Sequence, residues 1–424
     1  MEFPFLARLL ISLFLILFFN RILKQLTIAV IIGTIVLSIW SGHTPAAIWQ
    51  ISADRAFSIN NIMLLIIVLQ IIILSSQMSF SGIMKQLVEN FSKKFSRRTT
   101  MAVLPAAVGL LPMPGGAVFS APLIDKTDKN NKIPPMLKTK INYWFRHIWE
   151  YWWPLYPGIL LAAEISEIPL THLMLINFPL TLMTVIVGAV FFLRRVPAAE
   201  DRSEETISFH VLLKPLMPVI IIIAVYAIIK LLFPALTAFS KYLPVIIGVS
   251  TAQLYLQYSR ALSLSDWKKI ITNKKLYNLA TVVLFIRIYG AFIEAELPGG
   301  IAFMDKISAE LNTWHIPVLA IIMLLPFISG FTSGIAIGFV GTSFPVVMNL
   351  LPSDVTAGQL YATVILAYGV GYIGMILSPV HICLVVTNKY FKTDLLESIY
   401  RLLAPETVML VWVFLLYFLY NIIF

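Results

Sequence analysis

Apolar runs long enough to cross a lipid bilayer as helices recur along nearly the whole of this 424-residue chain, and they restrict its fold before any other feature is weighed. A spanning helix takes roughly 20 mostly apolar residues, and inside hydrocarbon only helices or closed barrels satisfy every backbone group. The runs have helix length, which excludes a barrel. A composition of 59% hydrophobic and 12% charged residues agrees with a lipid-embedded chain. The first run, Phe3 to Phe19, is followed by Arg21 and Lys24 and shows no small-residue cleavage site. It therefore reads as a membrane segment rather than a signal peptide.

A net charge of +10 would raise the question of nucleic acid in a soluble protein, but the placement of the charge answers it. Basic residues gather in alternate loops: at Arg21 and Lys24, from Lys85 to Arg98, from Lys126 to Lys140, from Arg194 to Arg202, from Arg260 to Lys275 and from Lys389 to Arg401. The intervening loops hold only Arg55, Lys230, Lys241 and Lys306. By the positive-inside rule the first set is cytoplasmic and the second external. No nucleic acid partner is needed; the expected partner is the lipid bilayer of the cell membrane.

That rule predicts about ten transmembrane helices, near residues 4–19, 26–40, 60–80, 141–163, 170–193, 212–233, 242–258, 277–293, 359–387 and 403–424, with both termini external. Two further apolar stretches do not fit as spans. Residues 99–124 lie between basic loops, so they enter and leave from the cytoplasm; residues 317–350 lie between loops poor in Lys and Arg, so they enter and leave from outside. Each is interrupted at its middle, by Pro112 to Gly116 in one and by Ser329 to Gly334 in the other. They read as re-entrant hairpins of opposite orientation, and irregular backbone at that depth is tolerated only where protein or a watery cavity covers it.

The two stretches also look like copies. Pro105 and Pro122 bracket the first as Pro326 and Pro345 bracket the second, and a long segment broken at Pro154 or Pro379 follows each. The matched prolines are 221, 223 and 225 residues apart. This register predicts an all-α polytopic protein of two inverted-topology repeats: residues 1–195 with hairpin 99–124 and broken helix 141–163, a cytoplasmic linker at 196–211, and residues 212–424 with hairpin 317–350 and broken helix 359–387. Paired interruptions in corresponding halves point to a transporter's binding site.

The polar groups at those breaks are the candidate chemistry. Helix N-termini and unpaired N–H groups attract anions, while carbonyls and hydroxyls suit Na⁺. Pro114, Gly115, Gly116 and Gly334 let a ligand approach the backbone; Ser120, Thr332, Ser333, Thr342, Ser343 and Ser378 add hydroxyls. Small residues also serve simply to pack membrane helices closely. Ionisable residues at depth are costly, which singles out Glu150 and His381 for ion coupling and Arg146 and His147 for contact with an anion. An Arg146–Glu150 ion pair that only steadies the aromatic segment is the plainer alternative. Arg287 with Glu294 reads as a scaffold ion pair. Cys383, the single cysteine, has no cysteine partner, so neither a disulfide framework nor a thiolate metal cluster is expected.

No H-E-x-x-H, G-x-S-x-G or P-loop pattern occurs, and a lone Ser333 within GFTSG has no evident base, so no enzymatic activity, metal or cofactor is expected. Na⁺ is left open. The arrangement resembles the ion transporter superfamily, which includes dicarboxylate, citrate and gluconate permeases and the large subunit of tripartite ATP-independent carboxylate transporters. Within it, LLPMPGGAVFSAPLID, Leu110 to Asp125, is similar to the family called domain of unknown function 401. The resemblance implies an elevator-like homodimer in a bacterial or archaeal cytoplasmic membrane. Its dicarboxylate members carry Ser-Asn-Thr at each hairpin tip, where this chain has Pro114-Gly115-Gly116 and Thr332-Ser333-Gly334. The expectation is an H⁺- or Na⁺-coupled secondary transporter of a small organic anion of the carboxylate class. The alternative is a channel, a lipid translocase or the membrane subunit of a larger complex.

Overall fold

The computed structural model describes residues 3–83, 86, 90, 96–110, 112, 116–128, 132–197, 214–352 and 354–424, with backbone alone at Val118 and Lys275. Among the described residues the regular structure is helical, apart from one antiparallel bridge between Glu296 and Ala302. In chain order the helices are α1 (Phe5–Leu23), α2 (Leu26–Trp40), α3 (Pro45–Ala56), α4 (Ile59–Phe80), α5 (Arg97–Gly109), α6 (Ala117–Thr127) and α7 (Pro135–Arg146). Then come α8 (Pro157–Ile165), α9 (Leu170–Phe191), α10 (Met217–Leu232), α11 (Pro234–Phe239), α12 (Leu243–Ser259), α13 (Leu264–Ile271) and α14 (Lys274–Glu294). The last are α15 (Phe303–Thr313), α16 (Val318–Ser333), α17 (Ala336–Asn349), α18 (Ala357–Ile376), α19 (Ile382–Phe391) and α20 (Leu395–Ile423).

Seven described helical stretches are long and apolar enough to cross a membrane: α1, α4, α9, α10, α14, α18 and α20, three of them with short flanking helical turns. The other expected spans are the 15-residue α2, the 17-residue α12 and the interrupted pair α7 and α8. Burial sorts them into layers. Some 83% of the α18 window is buried inside the protein, against 28% for α1 and α10, so α18 is central and the latter two face lipid.

Each hairpin is a pair of packed helices, α5 with α6 and α16 with α17. The four bracketing prolines lie inside these helices rather than at their ends. In the second hairpin helix α16 continues through Ser333, and only Gly334 and Ile335 break it. The expected interruption at Ser329 to Ser333 is therefore corrected: the Thr332 and Ser333 hydroxyls donate to the carbonyls of Ile328 and Ser329 in their own helix. Gly334 then closes the helix with φ of +64°, its N–H bonded to Gly330 O. In the first hairpin, Leu111 and Met113 to Gly115 lie outside the described residues.

Both broken helices are present. The first unwinds over residues 147–156 and restarts with Pro157 in the first position of α8, where a missing N–H costs nothing. The second is interrupted only over 377–381. Irregular backbone at depth needs partners for its carbonyls. In the first break His147 O accepts from Tyr372 Oη, Glu150 O from Tyr368 Oη, Ile148 O from Thr181 and Tyr151 O from Asn177. The Trp149 and Trp153 indoles and the Tyr156 hydroxyl in turn donate to Ala106, Leu110 and Gly109, the open carbonyl end of α5. The aromatic segment thus caps a hairpin.

The packing between halves is reciprocal. Helix α19 lies against α6 and α8 against α17, so the second part of each broken helix meets the second arm of the other half's hairpin. Around them α2 contacts α14 and α12 contacts α4; α3 contacts α14 and α13 contacts α4. The helices α4 and α14, and likewise α9 and α20, pair with each other. Close approach within each half rests on glycine: a Cβ at Gly109 would overlap Arg146 O, and one at Gly330 would overlap Gly371 O.

The structure also corrects one ion pair. Arg287 in α14 pairs with Glu164 of α8 at 3.1 Å, while Glu294 pairs with Arg55 of α3. Lys241 at 2.6 Å and the Tyr242 hydroxyl at 2.5 Å complete the Glu164 carboxylate.

Candidate functional site

The two breaks meet at the protein centre. Arg146 and His147 end α7, where a cation is favoured by the helix's carbonyl end. His381 directly precedes α19, and Cys383 lies in its first turn. His147 Nε2 and His381 Nε2 are 3.1 Å apart; Arg146 Nη1 is 3.3 Å and Glu150 Oε1 3.9 Å from His147 Nε2. All five residues are buried. Three tyrosines stitch the breaks together: Tyr143 of α7 donates to Ile376 O at the second break, 2.9 Å away, as Tyr368 and Tyr372 of α18 donate to carbonyls of the first.

The hairpin ends reach the same place. Gly116, just before α6, has no room for a side chain because a Cβ would overlap the Arg146 guanidinium. A Cβ at Gly334 would sit 3.0 Å from His381 N and 3.1 Å from Ser378 Oγ. Ser378 Oγ donates to Phe331 O at 2.6 Å, tying α16 to the second break.

Of the residues singled out from sequence, the structure therefore brings together Gly116, Arg146, His147, Glu150, Gly334, Ser378 and His381. Thr332, Ser333, Thr342 and Ser343 donate their hydroxyl protons within their own helices. Ser120 is fully buried, and its Oγ has no hydrogen-bond partner among the described residues. Pro114 and Gly115 fall outside the described residues.

Sequence reasoning passed over Cys383, Tyr143, Tyr368, Tyr372 and Glu406. The ligand atoms of His147, His381 and Cys383 all lie within 4.8 Å of one another, so this set could hold a metal ion. Glu406 in α20 is buried, its Oε2 without a hydrogen-bond partner among the described residues. The tyrosines had a signal: Tyr143 and Tyr368 stand in the same register as Pro154 and Pro379. Two surface hollows of about 420 and 410 Å³ lie elsewhere, one beside Arg8 and Lys306 and one beside Lys214 and Arg260.

On the flank of the first hairpin, Asp128 is buried and holds Arg97 and Lys138, the latter at 2.9 Å. Burial pushes the Asp128 carboxyl up, but hydrogen bonds from Lys138 and from the Ile133 and Lys132 N–H groups outweigh it, leaving the group below the ordinary carboxylate value.

Residues 7–420 match the model of a family described as protein of unknown function (DUF401). No curated protein sequence matches the chain. Among solved structures, the YdaH transporter of Alcanivorax borkumensis, described as having an unusual topology, is similar with a TM-score of 0.60 at 14% identity, over 87% of each chain. At that identity the likeness is one of fold. The protein is a multi-pass helical membrane protein with a transporter-like fold.

Proposed function

The chain belongs to the DUF401 family, and from its transporter-like fold and central site we propose that it is a secondary transporter of a small organic anion of the carboxylate class. The observation that carries this reading is the convergence of both hairpin ends on both helix breaks, with Arg146 held between Gly116 and His147. A permanently charged guanidinium beside the starts of α6 and α19 offers an anion one strong contact and two sets of N–H groups. The fold of the YdaH transporter supports a carrier over a channel.

Glu150, with His381 close by, is the acidic group that a coupling H⁺ or Na⁺ would meet. The reciprocal packing of the halves supports an origin in inverted repeats, with the hairpins re-entrant and both termini external to the cell membrane. An elevator-like cycle follows if α5 to α8 and α16 to α19 move together against α1, α2, α4, α10, α12 and α14. A homodimer would fix the outer group in place.

Counterflow in proteoliposomes tests the reading. Liposomes loaded with one carboxylate are given trace label outside, across mono-, di- and tricarboxylates and sugar acids, at several Na⁺ concentrations and pH values. A carrier shows transient accumulation of label, and Arg146→Gln abolishes it. Absence of trans-stimulation for every anion, or counterflow unaffected by Arg146→Gln, would overturn the proposal.

A further inference from the structure

The histidine pair poses an electrostatic problem that its own surroundings define. His147 Nδ1 lies 2.5 Å from Tyr143 O and His381 Nδ1 lies 3.3 Å from Met375 O. A carbonyl only accepts, so each contact places the ring proton on Nδ1. Both Nε2 atoms then carry lone pairs, and these face each other across 3.1 Å. Two lone pairs at that distance repel unless a cation lies between them. Carbonyl-fixed Nδ1–H groups with free Nε2 atoms are also the way proteins orient histidines toward a metal.

A third donor decides which cation. Cys383 brings a sulfur to the same junction, within 4.8 Å of a ring nitrogen of each histidine. Sulfur adds nothing to a proton shared by two imidazoles, but two nitrogens and a thiolate form a donor set for Zn²⁺, Co²⁺ or Cu⁺. With metal–nitrogen bonds of about 2.0–2.1 Å and a metal–sulfur bond of about 2.3 Å, tetrahedral ligand atoms stand roughly 3.3–3.6 Å apart. The histidines, 3.1 Å apart, stand slightly inside that spacing, and bringing in the sulfur takes a shift of about 1 Å, within the range of side-chain rotation. Glu150 Oε1, 3.9 Å from His147 Nε2, stands where it could act as fourth ligand or counter-charge. Arg146 Nη1 points at the same His147 lone pair from 3.3 Å, so metal binding would require it to turn aside.

We propose that His147, His381 and Cys383 bind one transition-metal cation of the Zn²⁺, Co²⁺ or Cu⁺ class at the junction of the two broken helices. Because His147 comes from the first break, His381 from the second and Cys383 from the first turn of α19 that follows it, the ion would pin the breaks in the arrangement seen here. The inference does not rest on the carrier reading, since binding is measured without flux.

The test uses the full chain purified in detergent, stripped with a chelator and titrated with Co²⁺. Cys383 is the only cysteine, so any thiolate-to-cobalt charge-transfer band in the near ultraviolet belongs to it. The expected result is saturation at one Co²⁺ per chain with that band and the visible bands of four-coordinate cobalt, all displaced by Zn²⁺. Cys383→Ser, nearly isosteric, removes the charge-transfer band, and His381→Gln weakens binding by about 10-fold or more. If His381→Gln does not fold, Cys383→Ser alone carries the test. No thiolate band in the wild-type chain, or a band and affinity unchanged by Cys383→Ser, would overturn the site; a histidine pair that only shares a proton gives the first of these.

Discussion

Gly158→Ala sets two physical rules against each other. Alanine is a better helix former than glycine by roughly 0.5–1 kcal/mol, so local propensity alone predicts a more stable protein. In the structure a Cβ at Gly158, in α8, would stand 2.7 Å from the Cβ of Ala336, the first residue of α17. Methyl carbons in contact need about 3.5–4.0 Å. Neither carbon can rotate away, because both are fixed to helical backbone, so α8 and α17 would have to separate by about 1 Å. Overpacking of this kind costs about 1–3 kcal/mol, and with both carbons fixed to helical backbone the upper part of that range applies, so a cost of about 2–3 kcal/mol less the propensity gain leaves a net destabilisation of about 1–2.5 kcal/mol. The same Cβ would lie 3.6 Å from Tyr368 Oη, whose hydrogen bond holds the first break. Apparent Tm in detergent at one fixed scan rate measures the effect, with Gly299→Ala as control, since nothing lies within 4 Å of a Cβ there. Gly158→Ala should melt below the wild type, and Gly158→Ala with Ala336→Gly should recover most of the loss. A Gly158→Ala protein as stable as the wild type, or a double variant without recovery, would refute the reasoning.

Two further predictions concern groups near the site and at the hairpin base. Tyr143→Phe and Tyr368→Phe each delete one hydroxyl and orphan one buried carbonyl, Ile376 O or Glu150 O, so each should cost about 1–3 kcal/mol, read as matched drops in apparent Tm. Asp128, held below its ordinary value, contributes stability that is intact above pH 3.8 and drains away as pH falls below it. Apparent Tm of the wild type should therefore drop more steeply below that pH than that of Asp128→Asn, and parallel curves would contradict the assignment.

The positions legible in the sequence were those fixed by covalent chemistry. Pro154 and Pro379 remove donors wherever they stand, and so announced the breaks. Gly334 announced the second hairpin's turn for a similar reason. What the sequence concealed was set by partners distant along the chain. Ser329 to Ser333 looked like a break because Ser, Thr and Gly are poor in helix interiors, yet α16 runs through them, with the Thr332 and Ser333 hydroxyls bonded to carbonyls of that same helix. Arg287 was matched to Glu294 on its own helix, while Glu164 lies on an element no periodicity could place beside it. Cys383 was dismissed for want of a second cysteine, and only the meeting of the two breaks supplies His147 and His381.

The carboxylate of Glu164 has a bearing on rate. It belongs to α8, inside the central group, and its three donors all come from α14 and the start of α12, outside that group. In the proposed elevator-like cycle, sliding one group past the other would tear these contacts in a single step, so there they would act on an activation barrier rather than on an affinity. Lys241 is 35% exposed and Arg287 only 8%, so dissolved salt screens the outer contact and spares the inner one. Under that proposal, exchange between the two conformations should quicken modestly with ionic strength and sharply in Glu164→Gln, with the resting fold as its brake.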